Sequence, residues 1–510
     1  MQDAKASAAG FDSGFSGGGL TAAALVILAL TALRLLALAL SPLELDFEEA
    51  QYWLWAQTPA WGYFSKPPLI AWLIGAVTSL CGSSEFCVRL PSPILHAITA
   101  LLLGAAAGRL RGARAAFWVA LAWASLPGVS FSSLLMTTDV PLLLFWALAL
   151  YGFLRTAQGG GLCWALATGL AAGLGFLSKY AMLYFIPCVA IALLWAPDLR
   201  RSIAWREIGA FLLGLLLLAL PNLAWDLAQG GVTWRHTAQL AKPEGSSINW
   251  HALGEYLSGQ VGVVGPIFLA LLLMLLWRPS WLARPVVGES GGPPMPPAID
   301  QAKLLACLSL PILILLTLVA VFGRGHGNWA VAAYPAAVIA LVLGLQGRRA
   351  FCWLRWGVLL HLTLAVAGAV VVMALALHPG LGGFKALDRL SGWRDLGIQV
   401  ARPLEAEPGL RLLLRDRAVA QLMAYYAGTA PGRFKVWNPD GIVDSQVELT
   451  ASLDAADSGP FLLVDTRHAP TDILSRFATV MPLGEAKATF VSGSIRQLQL
   501  YRVDGFLGYK

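Results

Sequence analysis

Long apolar runs separated by short polar breaks fill the first three quarters of the chain. They fall near residues 20–40, 90–108, 114–131, 140–156, 162–178, 180–196, 207–225, 257–277, 303–322, 329–346 and 355–377. Each approaches the roughly 20 residues a helix needs to cross a hydrocarbon core. The pattern therefore predicts about 11 spans, or up to 13 with differently drawn boundaries. The run at 67–80, PPLIAWLIGAVTSL, is apolar but short, and a crossing there would reverse the side on which the next arginine cluster lies. A re-entrant or interfacial helix is expected instead. The run at 20–40 is longer than a signal-peptide core and has no basic segment ahead of it, so it reads as a retained anchor.

Beyond residue 377 the pattern changes. RLLL (411–414), FKVW (434–437), FLLVD (461–465) and RQLQLYRV (496–503) alternate with the helix-like AVAQLMAYYAG (418–428) and TDILSRFATVM (471–481). Such alternation predicts a small α/β domain. The expected layout is a disordered cytoplasmic N-terminus (1–19), a transmembrane catalytic domain (20–378) carrying an outer loop (41–89), and an outer α/β domain (379–510).

Composition agrees with this reading. Hydrophobic residues make up 57% of the chain and charged residues 13%, against about 25% charged in soluble proteins. A polytopic α-helical membrane protein follows, and the net charge of +7 is to be read by position rather than as a nucleic-acid surface. Arg109, Arg111 and Arg114, then Arg200, Arg201 and Arg206, then Arg278 and Arg284, then Arg348, Arg349 and Arg355 mark alternate loops as cytoplasmic. The opposite loops carry Glu48, Glu49 and Lys66; Asp139; Lys179; Arg235 and His236; and Arg324, His326 and Asn328. Functional polar residues are thus gathered on one face, with the C-terminal domain on that face too. The six cysteines lack metal-ligand spacing and read as small core residues, although Cys81 and Cys87 are close enough to pair in an oxidising compartment.

The most chemically loaded stretch is Glu48–Pro68, EEAQYWLWAQTPAWGYFSKPP. It joins two carboxylates, interfacial aromatics including Tyr63, and Lys66. A carboxylate can serve as base or metal ligand, and a lysine can hold a phosphate. The stretch reads as the catalytic rim of a membrane enzyme acting on a lipid-linked phosphate; the plainer alternative is an interfacial belt. Asp139 is either a helix cap or a second catalytic or metal-binding acid. Lys179 either snorkels or holds phosphate, alongside Arg235 and Arg324 as further anion contacts. His326 in GRGHGNW (323–329) is more readily a hydrogen-bonding residue than a metal ligand. A divalent ion at Glu48 and Asp139 is compatible with these types, but no ligand set demands one.

EEAQYWLWAQ…WGYFSKPPLIAWL, TTDVPLLLFWALALY, GLGFLSKYAMLYFIP, PNLAWDL…VTWRHT and GRGHGNWAVAAYP stand in this order across residues 20–350. They resemble motifs of the bacterial dolichyl-phosphate-mannose-protein mannosyltransferase-like GT-C glycosyltransferases, a family that includes the lipid A aminoarabinose transferase. The resemblance implies a GT-C membrane fold in the bacterial inner membrane with its active site on the periplasmic side. It implies a polyprenyl (undecaprenyl) phosphate-linked sugar as donor, with inversion at the transferred sugar. It also implies Lys66 and Lys179 at the donor phosphate and Asp139 as second acid. The family's Asp-Glu pair is Glu48-Glu49 here, with Asp46 upstream, so the base is Asp46, Glu48 or Glu49. Lipid A or another envelope glycolipid is the expected acceptor. Protein O-glycosylation, a lipid-linked-sugar transporter or flippase, and a non-catalytic assembly role are the rivals. No internal repeat or mid-span charge pattern supports the transporter.

Overall fold

The computed structural model describes residues 18–240, 247–278, 280–283, 300–378, 383, 385–429, 431–457 and 459–509. Residues 1–17 of the expected disordered N-terminus, and Arg284, lie outside the described residues. Two compact units divide the chain. One comprises the chain up to Leu36 together with Arg89–Ala369; the other comprises Ala37–Val88 together with Val370 onward.

The longer helices are α1 Gly18–Ala39, α2 Phe47–Ala56, α3 Leu69–Cys81, α4 Pro91–Ser125, α5 Asp139–Arg155, α6 Gly161–Ser178, α7 Phe185–Trp195 and α8 Trp205–Ala228. They continue with α9 Val232–Leu240, α10 Trp250–Val264, α11 Pro266–Trp277, α12 Leu310–Phe322, α13 Tyr334–Leu345, α14 Phe351–Leu377, α15 Trp393–Ala406 and α16 Arg417–Tyr426. Among the described residues, seven helical stretches are long and apolar enough to span a bilayer, or eight if the α10–α11 pair, bent by 105°, is one span. The expected runs all lie on helices; the count differs because two pairs of neighbouring runs fuse and the run at 180–196 forms a shorter helix, Tyr180–Trp195. Glu85–Ser125 and Asp139–Ser178 each run through a break, at Arg111–Gly112 and at Gly159, where glycine adopts positive φ. The multi-pass architecture is therefore that of a membrane protein. The run at 67–80 forms α3, whose 13 residues reach only about 20 Å, short of the roughly 30 Å core.

In the membrane unit, small residues set the helix spacing. A side chain on Gly169 of α6 would collide with the Phe211 carbonyl of α8, its Cβ falling 2.0 Å from that oxygen. This close packing fixes the C-terminal end of α6, where Lys179 follows.

The second unit holds a five-stranded sheet in the order β2-β1-β3-β5-β4. Its strands are β1 Arg411–Leu414, β2 Phe434–Val436, β3 Phe461–Asp465, β4 Phe477–Thr489 and β5 Ile495–Phe506. β1 pairs in parallel with β2 and β3, and β5 is antiparallel to β3 and β4. Leu413, Phe461, Leu463, Phe477 and Val503 form its core with Trp437 and Ile473. The helix expected at 471–481 stops at Leu474, and Phe477 onward becomes β4. Pairing along nearly the whole of β5 outweighs the local helical preference of that segment.

Residues 37–88 pack into this same unit. Glu44 N–H donates to the Leu390 carbonyl (2.8 Å), and the Glu44 carboxylate accepts from Trp393 N–H. Leu45 N–H donates to Tyr426 Oη (2.7 Å), and Phe64 N–H to Gln446 Oε1 (2.7 Å). Cys81 and Cys87 form a disulfide.

Candidate functional site

The residues singled out in the sequence fall into two groups, one in each unit. The first is the N-terminal end of α2. Three acids sit within four positions, and their oxygens are already engaged to different degrees. Glu49 is buried, and its Oε2 accepts from Asp46 N–H at 3.0 Å, the reach-back of a helix-capping carboxylate. Asp46 lies at the N-cap and pairs with Arg389 Nε at 3.4 Å. Burial pushes the Asp46 carboxyl above its usual range, and Arg389 only partly offsets that; burial does the same to Glu44. Glu48 is half-buried, forms no ion pair among the described residues, and accepts only a long hydrogen bond from Tyr52 Oη, at 3.4 Å.

Tyr63 is built into the loop. Its ring stacks on Trp55 with centroids 4.5 Å apart, and its hydroxyl donates to the Trp55 carbonyl at 2.9 Å. Burial raises this phenol to about 12. Tyr63 N–H donates to the Lys66 carbonyl (3.2 Å), closing the turn that presents half-buried Lys66 before Pro67 and Pro68.

The second group is in the membrane unit. Asp139 is the first residue of α5, buried, and Thr138 rather than Asp139 holds the N-cap position. Lys179 ends α6 in extended conformation, which turns its side chain away from the helix path. Lys179 Nζ lies 2.6 Å from Asp139 Oδ1, and Asn328 Nδ2 donates to Asp139 Oδ2 at 2.9 Å. The two charged side chains are only 16% and 10% exposed, so this is close to a buried ion pair. With both oxygens engaged and its charge matched by an ammonium, Asp139 does not fit a metal site. Among the described residues no three His, Cys, Asp or Glu side chains gather to hold an ion.

Asn328 owes its position to backbone proximity. Gly327 of the GRGHGNW loop meets Gly259 of α10 so closely that a Cβ on Gly259 would lie 2.5 Å from Gly327 Cα. Gln260 Nε2 donates to the Gly327 carbonyl (3.1 Å), and Tyr334 Oη donates to Gln260 Oε1 (2.6 Å). Gln260, Tyr256 and Tyr334 also line an apolar cavity of about 580 Å³ walled by leucines of α11 and α12. Arg324 and His326 are exposed on the loop, with His326 against Trp329.

Arg235 and half-buried His236 lie on α9, with Arg235 exposed. Their neighbour Trp234 stacks on Tyr180, the residue after Lys179, with centroids 4.8 Å apart and an interplanar angle of 10°. Tyr180 Oη donates to Asn222 Oδ1 (3.0 Å), and Asp226 Oδ1 accepts from Thr233 N–H (2.8 Å). Asn222, Asp226, Tyr180 and Gln260 were not singled out in the sequence. The signal of two of them was present: Asn222 and Asp226 are buried polar residues four apart near the end of α8, beyond a long apolar run. Lys242 and Glu244, beyond α9, lie outside the described residues.

Residues 65–225 match the family described as dolichyl-phosphate-mannose-protein mannosyltransferase. The chain is 35% identical over 425 residues to a lipid A galacturonosyltransferase of Rhizobium johnstonii, covering 82% of this chain and 85% of that protein. It is 34% identical over 174 residues, 32% of its length, to an undecaprenyl phosphate-α-4-amino-4-deoxy-L-arabinose arabinosyl transferase of Pseudomonas aeruginosa, covering 31% of that protein. In fold it is similar to ArnT of Cupriavidus metallidurans bound to undecaprenyl phosphate, with TM-score 0.65, 14% identity, and coverage of 94% and 97% of the two chains.

Proposed function

The chain belongs to the family of bacterial dolichyl-phosphate-mannose-protein mannosyltransferase-like GT-C glycosyltransferases, and on that premise we propose that it transfers a sugar from a polyprenyl-phosphate donor to lipid A. The observation that carries this reading is the 35% identity spread over 85% of a lipid A galacturonosyltransferase. A hexuronate is accordingly the sugar we assign. The reaction takes place at the periplasmic face of the inner membrane. The Cys81–Cys87 disulfide supports that side for the first loop, because such bonds persist in oxidising compartments.

The chemistry asks three things of the protein. The lipid phosphate must be neutralised so that it can leave with the electron pair of the broken C1–O bond; Lys66 and Lys179 take this role, with Arg235 and Arg324 as further cations. Asp139 positions Lys179 by its ion pair, and Asn328 fixes Asp139 in turn. The acceptor hydroxyl must lose its proton as its oxygen attacks C1, which inverts that carbon. Glu48 is the base, since Glu49 caps α2, while Asp46 pairs with Arg389 through one oxygen and has the other buried out of an acceptor's reach. The polyprenyl tail must leave water, and the apolar cavity lined by Tyr256 and Tyr334 is a suitable receptacle. No step is routed through a metal ion, because the donors around Asp139 do not fit one.

The test is mass spectrometry of lipid A from cells lacking the gene, complemented with wild type or with Glu48→Gln. A hexuronate-sized mass should vanish on deletion and return with wild type alone. Unchanged lipid A on deletion would remove lipid A as the acceptor.

A further inference from the structure

The unit that carries the first loop has a second concavity, of about 530 Å³, which none of the steps above uses. Its size falls within the roughly 300–1,000 Å³ of small-molecule sites. One wall is the C-terminal end of α2, with Trp53 and Gln57. A second is the segment closed by the Cys81–Cys87 disulfide, with Ser83, Ser84 and Glu85. The third comes from the far end of the sequence, with Arg394 on α15 and Tyr425 and Tyr426 on α16.

The chemistry of these walls is mixed in a particular way. Trp53 meets Tyr425 edge to face at 4.9 Å, and Tyr425 meets Tyr426 in the same manner at 4.7 Å, so the concavity is aromatic. Trp53 Nε1 is buried without a hydrogen-bond partner among the described residues. Arg394 is paired with Glu85, which also accepts from Tyr426 Oη at 3.2 Å. The one cation among the described residues of its lining is thereby matched by an anion, so the cleft carries no net invitation to phosphate. It offers donors and acceptors side by side over aromatic surface, while Ser84 and Gln57 stand exposed at its rim. A pyranose ring has the complementary character: hydroxyls that both donate and accept around its edge, and an apolar C–H face.

We propose that this cleft is a carbohydrate subsite that seats a pyranose ring of the acceptor, away from the ring that receives the new sugar. The assignment rests on the reading of the acceptor as a glycolipid. The disulfide has a place in it, because it holds Ser83, Ser84 and Glu85 as one wall. Acceptor selection is then divided: Glu48 acts on the reacting hydroxyl at one end of α2, and the cleft at the other end grips sugar that does not react.

Full-length protein in lipid nanodiscs is to be tested with deacylated lipid A saccharide by saturation-transfer NMR, and with intact lipid A in steady-state transfer. Ring protons of the saccharide should receive saturation from wild type and lose it in Trp53→Ala. In the same variant the acceptor KM should rise roughly tenfold, with kcat and the donor KM within about twofold. Because Trp53 packs on Tyr425, Gln57→Ala at the exposed end of α2 provides a second variant, expected to raise the acceptor KM by a smaller factor. An active enzyme whose saccharide signal and acceptor KM are unmoved in both variants overturns the subsite and leaves the transferase reading intact. A protein that binds the saccharide through Trp53 but transfers nothing to lipid A overturns that acceptor and keeps the subsite. Loss of the saccharide signal on adding inorganic phosphate overturns the subsite in favour of an anion site.

Discussion

The acids of the first loop and the acid at the start of α5 make an instructive pair. At α2 three carboxylates stand within four residues: Glu49 serves the helix terminus, Asp46 pairs with Arg389 through Oδ2 and keeps its other oxygen buried out of reach, and Glu48 is half-buried with one long hydrogen bond. At α5 a single carboxylate is engaged at both oxygens, one by Lys179 and the other by Asn328. A base needs an oxygen with spare capacity, and a positioning group needs none. On that criterion, together with access to the acceptor, we propose Glu48 as the residue that reacts and Asp139 as the residue that holds another in place. Proximity in sequence does not distinguish these roles; the partners of each oxygen do.

The sharpest way to break the comparison is Glu48→Gln. General base catalysis contributes about 10²–10⁴ in rate, so kcat should fall by that order while the protein remains folded. A variant with near-normal kcat would pass the role to Asp46 or Glu49. Lys179→Met comes next: it leaves Asp139 charged and nearly buried, which costs about 3–5 kcal/mol in such settings. Both thermal stability and turnover should suffer. The double variant with Asp139→Asn should recover stability but not turnover; recovery of both would make the pair purely structural. Glu49→Ala should remove a capping interaction of about 1 kcal/mol, lowering the melting temperature by a few degrees with kcat little changed. A hundredfold loss of kcat there would undo the assignment of Glu49 to structure.

The smallest effect concerns pH. Burial raises the Asp46 carboxyl in the folded state. Its protonated form is therefore favoured by folding, and the associated stability is present below the unfolded value of about 3.9. That stability is lost as pH rises through the folded value. Asp46→Asn should flatten this slope in a series of thermal melts, leaving the part due to Glu44. An unaltered slope would mean that the pair with Arg389 dominates the titration.

Much of this molecule was legible because hydrophobic runs report their own helices. Lys66, Asp139, Lys179 and Asn328 were visible as polar residues where apolar runs end, and three of these four meet in one cluster. What was hidden depends on distant segments. Nothing near Asp46 announces Arg389, more than 300 residues later, and nothing in EEAQYW says which acid the helix terminus will consume. The partnership of residues 37–88 with the C-terminal unit was equally silent, since side chain-to-backbone contacts such as Leu45 with Tyr426 carry no periodicity. The segment after Leu474 misread as helix for the same reason: its partner β5 lies further along the chain.

The discontinuity of that unit has a consequence for biosynthesis. About 280 residues separate Val88 from Val370, and ribosomes add roughly 5–20 residues per second. The segment bearing Glu48 therefore emerges and waits some fifteen seconds to a minute before Leu390, Trp393 and Tyr426 exist to receive Glu44 and Leu45. During that interval the segment bearing Glu48 stands without the C-terminal residues that hold it in the finished fold.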